Sequence, residues 1–251
     1  MRKQELEILL ENAYHTYAKE DFIELDPIQI PRRFSKKEDI EIAGFLAATI
    51  AWGQRPTIVK NAWRMMELMD FEPHDFITNH QASDLKRFDG FVHRTFNASD
   101  LQFFIHRLQS LYRKERGLEV AFSQGESALE RISSFHQLFF NQEHLPRTRK
   151  HVSNPLKGSS AKRLNMYLRW MVRPNKEGID FGIWKSISPA DLMMPLDVHT
   201  GNVGRHLRLL SRKQDDWKSV EELTKSLRKF DPKDPVRFDL ALFGMGVNKT
   251  L

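Results

Sequence analysis

The chain has 251 residues, 40% of them hydrophobic, with 39 Lys and Arg against 33 Asp and Glu for a formal charge of +6. That content can bury one large core or two small lobes, and the absence of cysteine excludes disulfides, a thiol nucleophile and any cysteine-ligated zinc or iron–sulfur cofactor. The basic balance, with a pI near 9.5, favours an anionic partner through long-range attraction and counterion release.

Met1-Arg2-Lys3-Gln4 opens without an apolar leader, and nowhere do about eighteen apolar residues run uninterrupted. A cytoplasmic protein with no membrane span is expected. Residues 4 to 18 place Leu6, Leu9, Leu10, Ala13, Tyr14 and Tyr17 at helical spacing among charges, which predicts an amphipathic first helix. The prolines of Asp26-Pro27 and Ile30-Pro31-Arg32-Arg33 predict an extended segment after it. The basic run Arg32 to Lys37 fits a solvated loop as well as a phosphate contact.

Glu38 to Ile50 turns steadily apolar and reads as a core helix ending at Trp52-Gly53. Pro56 to Met69 reads as the next, with proline at a helix-start position. Gln54 and Arg55 therefore fall in a turn between two buried helices, where Gln54 can either cap a helix or project toward a ligand. Between Asp70 and Lys150 the pattern stays helical but is less legible. Asp100 to Tyr112 and Ile132 to Phe140 are its clearest helices, and His93-Arg94-Thr95-Phe96 reads as part of a packed element. A basic, proline-bounded connector, Pro146 to Pro155, suits either a nucleic-acid backbone contact or a surface loop.

Residues 156–210 hold the chemistry. Lys157-Gly158-Ser159-Ser160-Ala161-Lys162-Arg163 forms a tight turn opening a helix whose apolar positions are Leu164, Tyr167, Leu168 and Met171. The amides and positive dipole end of a helix start attract phosphate, and Lys157, Lys162 and Arg163 add charge. An N-capped surface helix with solvated lysines fits the same residues. Pro195-Leu196-Asp197-Val198-His199 then enters another short helix, where Asp197 is placed as a cap. After it, Trp217 to Phe230 reads as an amphipathic helix and Val236 to Phe243 as the last, ending in Gly244-Met245-Gly246. The ten histidines do not fall at metal-ligand spacings, and no H-E-x-x-H, P-loop or G-x-S-x-G motif is present.

These segments resemble the helix-hairpin-helix DNA glycosylase superfamily, which includes the endonuclease III type and the 8-oxoguanine glycosylases. In that superfamily a Gly-x-Gly-x-Lys hairpin carries the catalytic lysine and a later apolar-Asp-x-His segment the catalytic aspartate. Gly158, Lys162, Asp197 and His199 fall on those positions, with Ser160 where a second glycine is expected. Phe45 to Ala62 is similar to the superfamily's apolar helix and glutamine turn, and puts Gln54 on the residue that fills the gap left by an extruded nucleotide. Phe238 to Gly246 resembles the late helix behind the aspartate. The thirty-five residues between Lys162 and Asp197 are closer to the archaeal 8-oxoguanine branch than to the endonuclease III type. The whole chain also resembles a bacterial family known as a domain of unknown function.

The resemblance implies an all-α fold over residues 1–251: one globular unit of two interleaved helical lobes with a DNA-binding cleft between them. It implies a DNA glycosylase with AP-lyase activity on a damaged base, oxidised purine being the first choice. Lys162 and Asp197 would be catalytic. Gln54, Lys157, Gly158, Ser159, Ser160, Arg163 and His199 would contact double-stranded DNA. A monomer without cofactor or metal is expected. Two other classes stay open, a non-catalytic helix-hairpin-helix binding module and a hydrolase of RNA or nucleotides using Asp197 and His199.

Overall fold

The computed structural model describes residues 1–250, and the side chains of all of these but residues 21, 22 and 25. It is mostly helical. In chain order come α1 (Lys3–Tyr17), α2 (Lys37–Thr49), α3 (Arg55–Leu68) and α4 (Pro73–Asn79), then an antiparallel ribbon of β1 (Val92–His93) and β2 (Phe96–Asn97). There follow α5 (Ala98–Lys114), α6 (Leu118–Phe122), α7 (Ala128–Phe139), α8 (Lys162–Val172), α9 (Val198–His206), α10 (Trp217–Leu227) and α11 (Phe238–Asn248). Among the described residues no helix is long and apolar enough to cross a membrane.

The chain divides into two compact units. One comprises Met1–Phe22, Ser127–Leu129 and Ser153–Leu251, and the other Ile23–Glu126 and Glu130–Val152.

The second unit is built on phenylalanines. Phe45 of α2 meets Phe104 of α5 at 5.9 Å, Phe135 of α7 at 5.6 Å and Phe139 at 5.6 Å, while Phe122 stacks on Phe135 at 3.7 Å between ring centroids. Each ring is buried, and such burial contributes about 2–3 kcal/mol per side chain. Helix α5 starts where it does because Asn97 and Asp100 form a reciprocal capping box: the Asp100 amide donates to Asn97 Oδ1 at 3.3 Å, and the Asn97 amide to Asp100 Oδ2 at 3.1 Å. The basic connector is anchored rather than loose. Arg147 donates to Asp100 at 2.9 Å, and Thr148 donates to the same carboxylate at 2.7 Å, while Arg149 and Lys150 stay exposed.

In the first unit α11 packs against both α1 and α9. Its glycines permit this: a Cβ at Gly244 would overlap the Tyr17 ring, and one at Gly246 would stand 3.0 Å from both Cβ and the carbonyl oxygen of His199.

Two local expectations change, and one packed segment takes a specific form. Pro27–Gln29 and Pro31–Arg33 are 3-10 turns rather than an extended segment, because the proline φ that suits an extended chain equally suits the first position of a helical turn. Gly244 and Gly246 lie inside α11 rather than ending it, since close helix packing outweighs their low helix propensity. His93 and Phe96 belong to a β-ribbon too short to leave an alternating signature.

Candidate active site

The hairpin before α8 is made by two residues with left-handed backbone. Pro155–Lys157 form a 3-10 turn, Gly158 leaves it at φ 82°, and Ala161 precedes α8 at φ 48°. Gly158 faces open space where a Cβ would stand, so its requirement is one of backbone angle rather than of room. The segment preceding the hairpin is 3-10, at Pro146–His151 and Pro155–Lys157, rather than a full α-helix. Ser159 pairs with Asp216 in an isolated bridge, and the Trp217 amide donates to the Gly158 carbonyl at 3.3 Å. Behind the turn, the Asn165 side-chain amide donates to the Ser160 carbonyl at 3.0 Å and the Ala161 amide to Ser159 Oγ at 3.2 Å. These bonds fix the direction in which α8 starts.

Lys162 is the first residue of α8, and Asp197 is the N-cap of α9. Asp197 Oδ1 accepts from the amides of His199 at 2.9 Å and Thr200 at 3.0 Å. Its other oxygen, Oδ2, stands 3.8 Å from Lys162 Nζ. Both side chains are about one quarter exposed, 28% for Lys162 and 23% for Asp197. Lys162 Nζ also lies 3.7 Å from Met166 Sδ, one turn along the same helix face. The carboxylate is thus held by one oxygen and presented by the other, at an edge that solvent reaches.

Farther along α8 a buried chain of alternating charge begins. Asp239 of α11 takes a charged hydrogen bond from Arg169 of α8 at 2.5 Å, and Arg169 Nε donates to Asp180 at 3.2 Å. Arg173 donates to Asp180 at 2.9 Å, to Asp234 at 2.9 Å and to the Tyr14 hydroxyl at 2.6 Å. Lys162, Arg169 and Arg173 lie on one stripe of α8, seven and then four residues apart. Burial pushes the Asp239 carboxyl up to about 6; Arg169 pulls it back, the Asp197 charge adds to the rise, and Lys162 opposes it. Asp239 thus feels both members of the pair.

The remaining predicted residues fall as follows. Arg163 is half-buried beside Lys162, and desolvation lowers its guanidinium to about 10, leaving it charged at neutral pH. Lys157 and Gly158 are exposed, and Ser159 and Ser160 half-buried. His199 is exposed, with its ring edge-on to Phe243 at 6.0 Å. Gln54 lies in the other unit, exposed at the N-cap of α3 with no side-chain capping bond, so it does not act as a capping amide. Of the candidate stacking tryptophans, Trp170 and Trp184 are core. Trp52 is half-buried, with the His93 ring edge-on at 5.0 Å and the His151 ring stacked at 5.9 Å.

Sequence reasoning missed Arg169 and Asp239. The signal was a charge inside an apolar segment: Arg169 sits between Leu168 and Trp170, and Asp239 between Phe238 and Leu240. Ionised residues are seldom fully buried unless paired, so each pointed to a partner.

A family model described as "Protein of unknown function (DUF2400)" matches residues 26–248. No curated protein and no solved structure matches the chain.

Proposed function

Since this chain belongs to the DUF2400 family, whose description carries no activity, we propose its chemistry from its own residues. The reading is a helix-hairpin-helix DNA base-excision glycosylase with AP-lyase activity, acting on a damaged base in duplex DNA. Oxidised purine is the first lesion to test.

The observation that carries this reading is the 3.8 Å approach of Lys162 Nζ to Asp197 Oδ2 with Asp197 locked by the amides of α9. Breaking an N-glycosidic bond develops positive charge on the sugar, and a fixed carboxylate stabilises that charge without reorganising. Asp197 supplies it. The neutral amine of Lys162 attacks the anomeric carbon as the bond to the base breaks, and Asp197 takes the proton from the attacking nitrogen and passes it to the departing base. The resulting aminal opens to a Schiff base on Lys162, from which elimination breaks the 3′ C–O bond of the strand. The base must first leave the helix, at an unstacking cost of a few kcal/mol that is smaller at damaged pairs. The turn from Lys157 to Ser160, with Arg163 and His199, serves to hold the strand's phosphates.

Borohydride trapping on labelled duplexes carrying single lesions or an abasic site tests the reading, with wild type compared against Lys162→Ala. A covalent adduct given by wild type and lost in the variant is expected. Binding without trapping or base release on any duplex would leave a non-catalytic binding module as the better account, and a chelator-sensitive hydrolysis of RNA or nucleotides would point to the hydrolase class.

A further inference from the structure

The end of α2 that begins at Lys37 has no part in the proposed reaction, yet a cavity of about 260 Å³ opens beside it. Its walls come from the starts of α2 and α4, the end of α5, and α6, all within the second unit. That volume exceeds what a single ion or water fills and falls just short of the about 300–1,000 Å³ typical of drug-sized ligands. It suits a metabolite of amino-acid size. Part of the lining is already paired. The buried Glu41 accepts from the Tyr112 hydroxyl at 2.7 Å and stands 3.8 Å from Lys37 Nζ, and Lys37 also binds Glu119. Three lining groups are uncommitted. Arg116, exposed, and Glu38, half-buried, make no hydrogen bond or ion pair among the described residues. The third is a nitrogen of His74. The Lys36 ammonium, 2.9 Å from Nδ1, can only donate, so Nδ1 accepts and Nε2 carries the ring's hydrogen. Burial, and after it the Lys36 charge, lowers this imidazole from its ordinary value, so the ring is neutral at pH 7.

We propose that this cavity binds a free α-amino acid: Arg116 and His74 Nε2 take its carboxylate, Glu38 takes its ammonium, and Tyr112 and Val120 cover its side chain. The uncommitted groups decide the chemistry. A guanidinium and a neutral N–H are donors suited to a carboxylate, whereas a carboxylate can only accept and suits an ammonium. A plain anion on Arg116 would meet the charge of Glu38, and a plain cation on Glu38 would meet that of Arg116. A zwitterion satisfies both. The paired groups fix the frame, since Tyr112 is tied to Glu41 at 2.7 Å and its ring meets the His74 ring edge-on at 5.2 Å. Val120, 37% exposed, adds an apolar surface to the lining. The site is independent of the reading of Lys162 as a nucleophile.

Ligand titration of the full chain at neutral pH tests this, with the ring signal of His74 followed by NMR on protein carrying carbon-13 histidine. The common L-amino acids are added one at a time, each to about 10 mM. At least one should move the signal to saturation. Acetylating the amine of that amino acid, or amidating its carboxylate, should weaken binding about tenfold or more, because each removes a charged hydrogen bond. Glu38→Gln and Arg116→Ala, both at positions open to solvent, should do the same to the parent compound. Glu38→Gln should make no difference to the acetylated form, which has no ammonium to lose, and Arg116→Ala none to the amide. A signal that no amino acid moves would overturn the proposal. So would acetylated and amidated forms that bind as well as the parent, or two variants that bind it unchanged.

Discussion

Asp197 divides its two oxygens between a helix cap and a cation: Oδ1 takes the His199 and Thr200 amides, and Oδ2 faces Lys162 Nζ at 3.8 Å. The division lets substitution separate the two. Asparagine is as good an N-cap as aspartate, whereas alanine forfeits about 1 kcal/mol. Asp197→Asn should therefore unfold in urea within about 0.5 kcal/mol of wild type while base release falls roughly 100- to 1,000-fold. Asp197→Ala should lose both. Equal losses of stability in the two variants would count against the capping role.

Asp239 should leave a mark on stability as a function of pH. Its folded carboxyl is raised to about 6 from an unfolded value near about 3.9, so the folded state binds the extra proton. The associated stabilisation is complete below about pH 4 and is lost as pH rises through about 6, on the order of 3 kcal/mol in all. Urea titrations at pH 4, 5, 6 and 7 should show a downward contribution in wild type that is missing from the slope of Asp239→Asn. Parallel slopes for the two proteins would contradict it.

The glycines of α11 are there for contact. Gly244→Ala would drive a methyl into the Tyr17 ring, and Gly246→Ala would press one on the His199 backbone. Each should cost roughly 1–3 kcal/mol or more by overpacking, measured by chemical denaturation. Gly158→Ala meets no neighbour but must hold a left-handed backbone, at a cost of about 1–2 kcal/mol. If Gly246→Ala were neutral, α9 and α11 would have to be further apart than described.

Gln54 offers the opposite contrast. It is exposed and makes no capping bond, so Gln54→Ala should move the unfolding free energy by less than about 0.5 kcal/mol. If it occupies the place of an extruded nucleotide, the same change should weaken binding to a duplex with an abasic site severalfold. Fluorescence anisotropy with unchanged affinity would remove it from the interface.

Much of the helical framework was legible because its signals are local. Residues 38–50, 56–69 and 100–112 announce helices by the spacing of Ile42, Phe45 and Leu46, of Ile58, Ala62 and Met65, and of Leu101, Ile105 and Leu108, and α2, α3 and α5 lie there. Lys162 and Asp197 could be singled out, but their 3.8 Å separation depends on how the hairpin aims α8, which no spacing encodes. Arg169 and Asp239, 70 residues apart, escaped for the same reason: a periodic pattern tells which face is buried, not which buried charge meets which. The 3-10 turns at 27–33 were misread because a proline's φ does not distinguish an extended start from a turn.

The joining of α1 to α11 bears on the order in which the protein is made. Glu11 pairs with Arg237 across 226 residues, and Asp239, which neutralises Arg169, is made 70 residues after it. Until then Lys162 and Asp197 exist on a nascent polypeptide whose α8 carries guanidiniums without their full set of counter-charges. Contacts of such sequence separation form late and slowly. Arg169 on α8 thus gains its Asp239 partner only after α11 has been made.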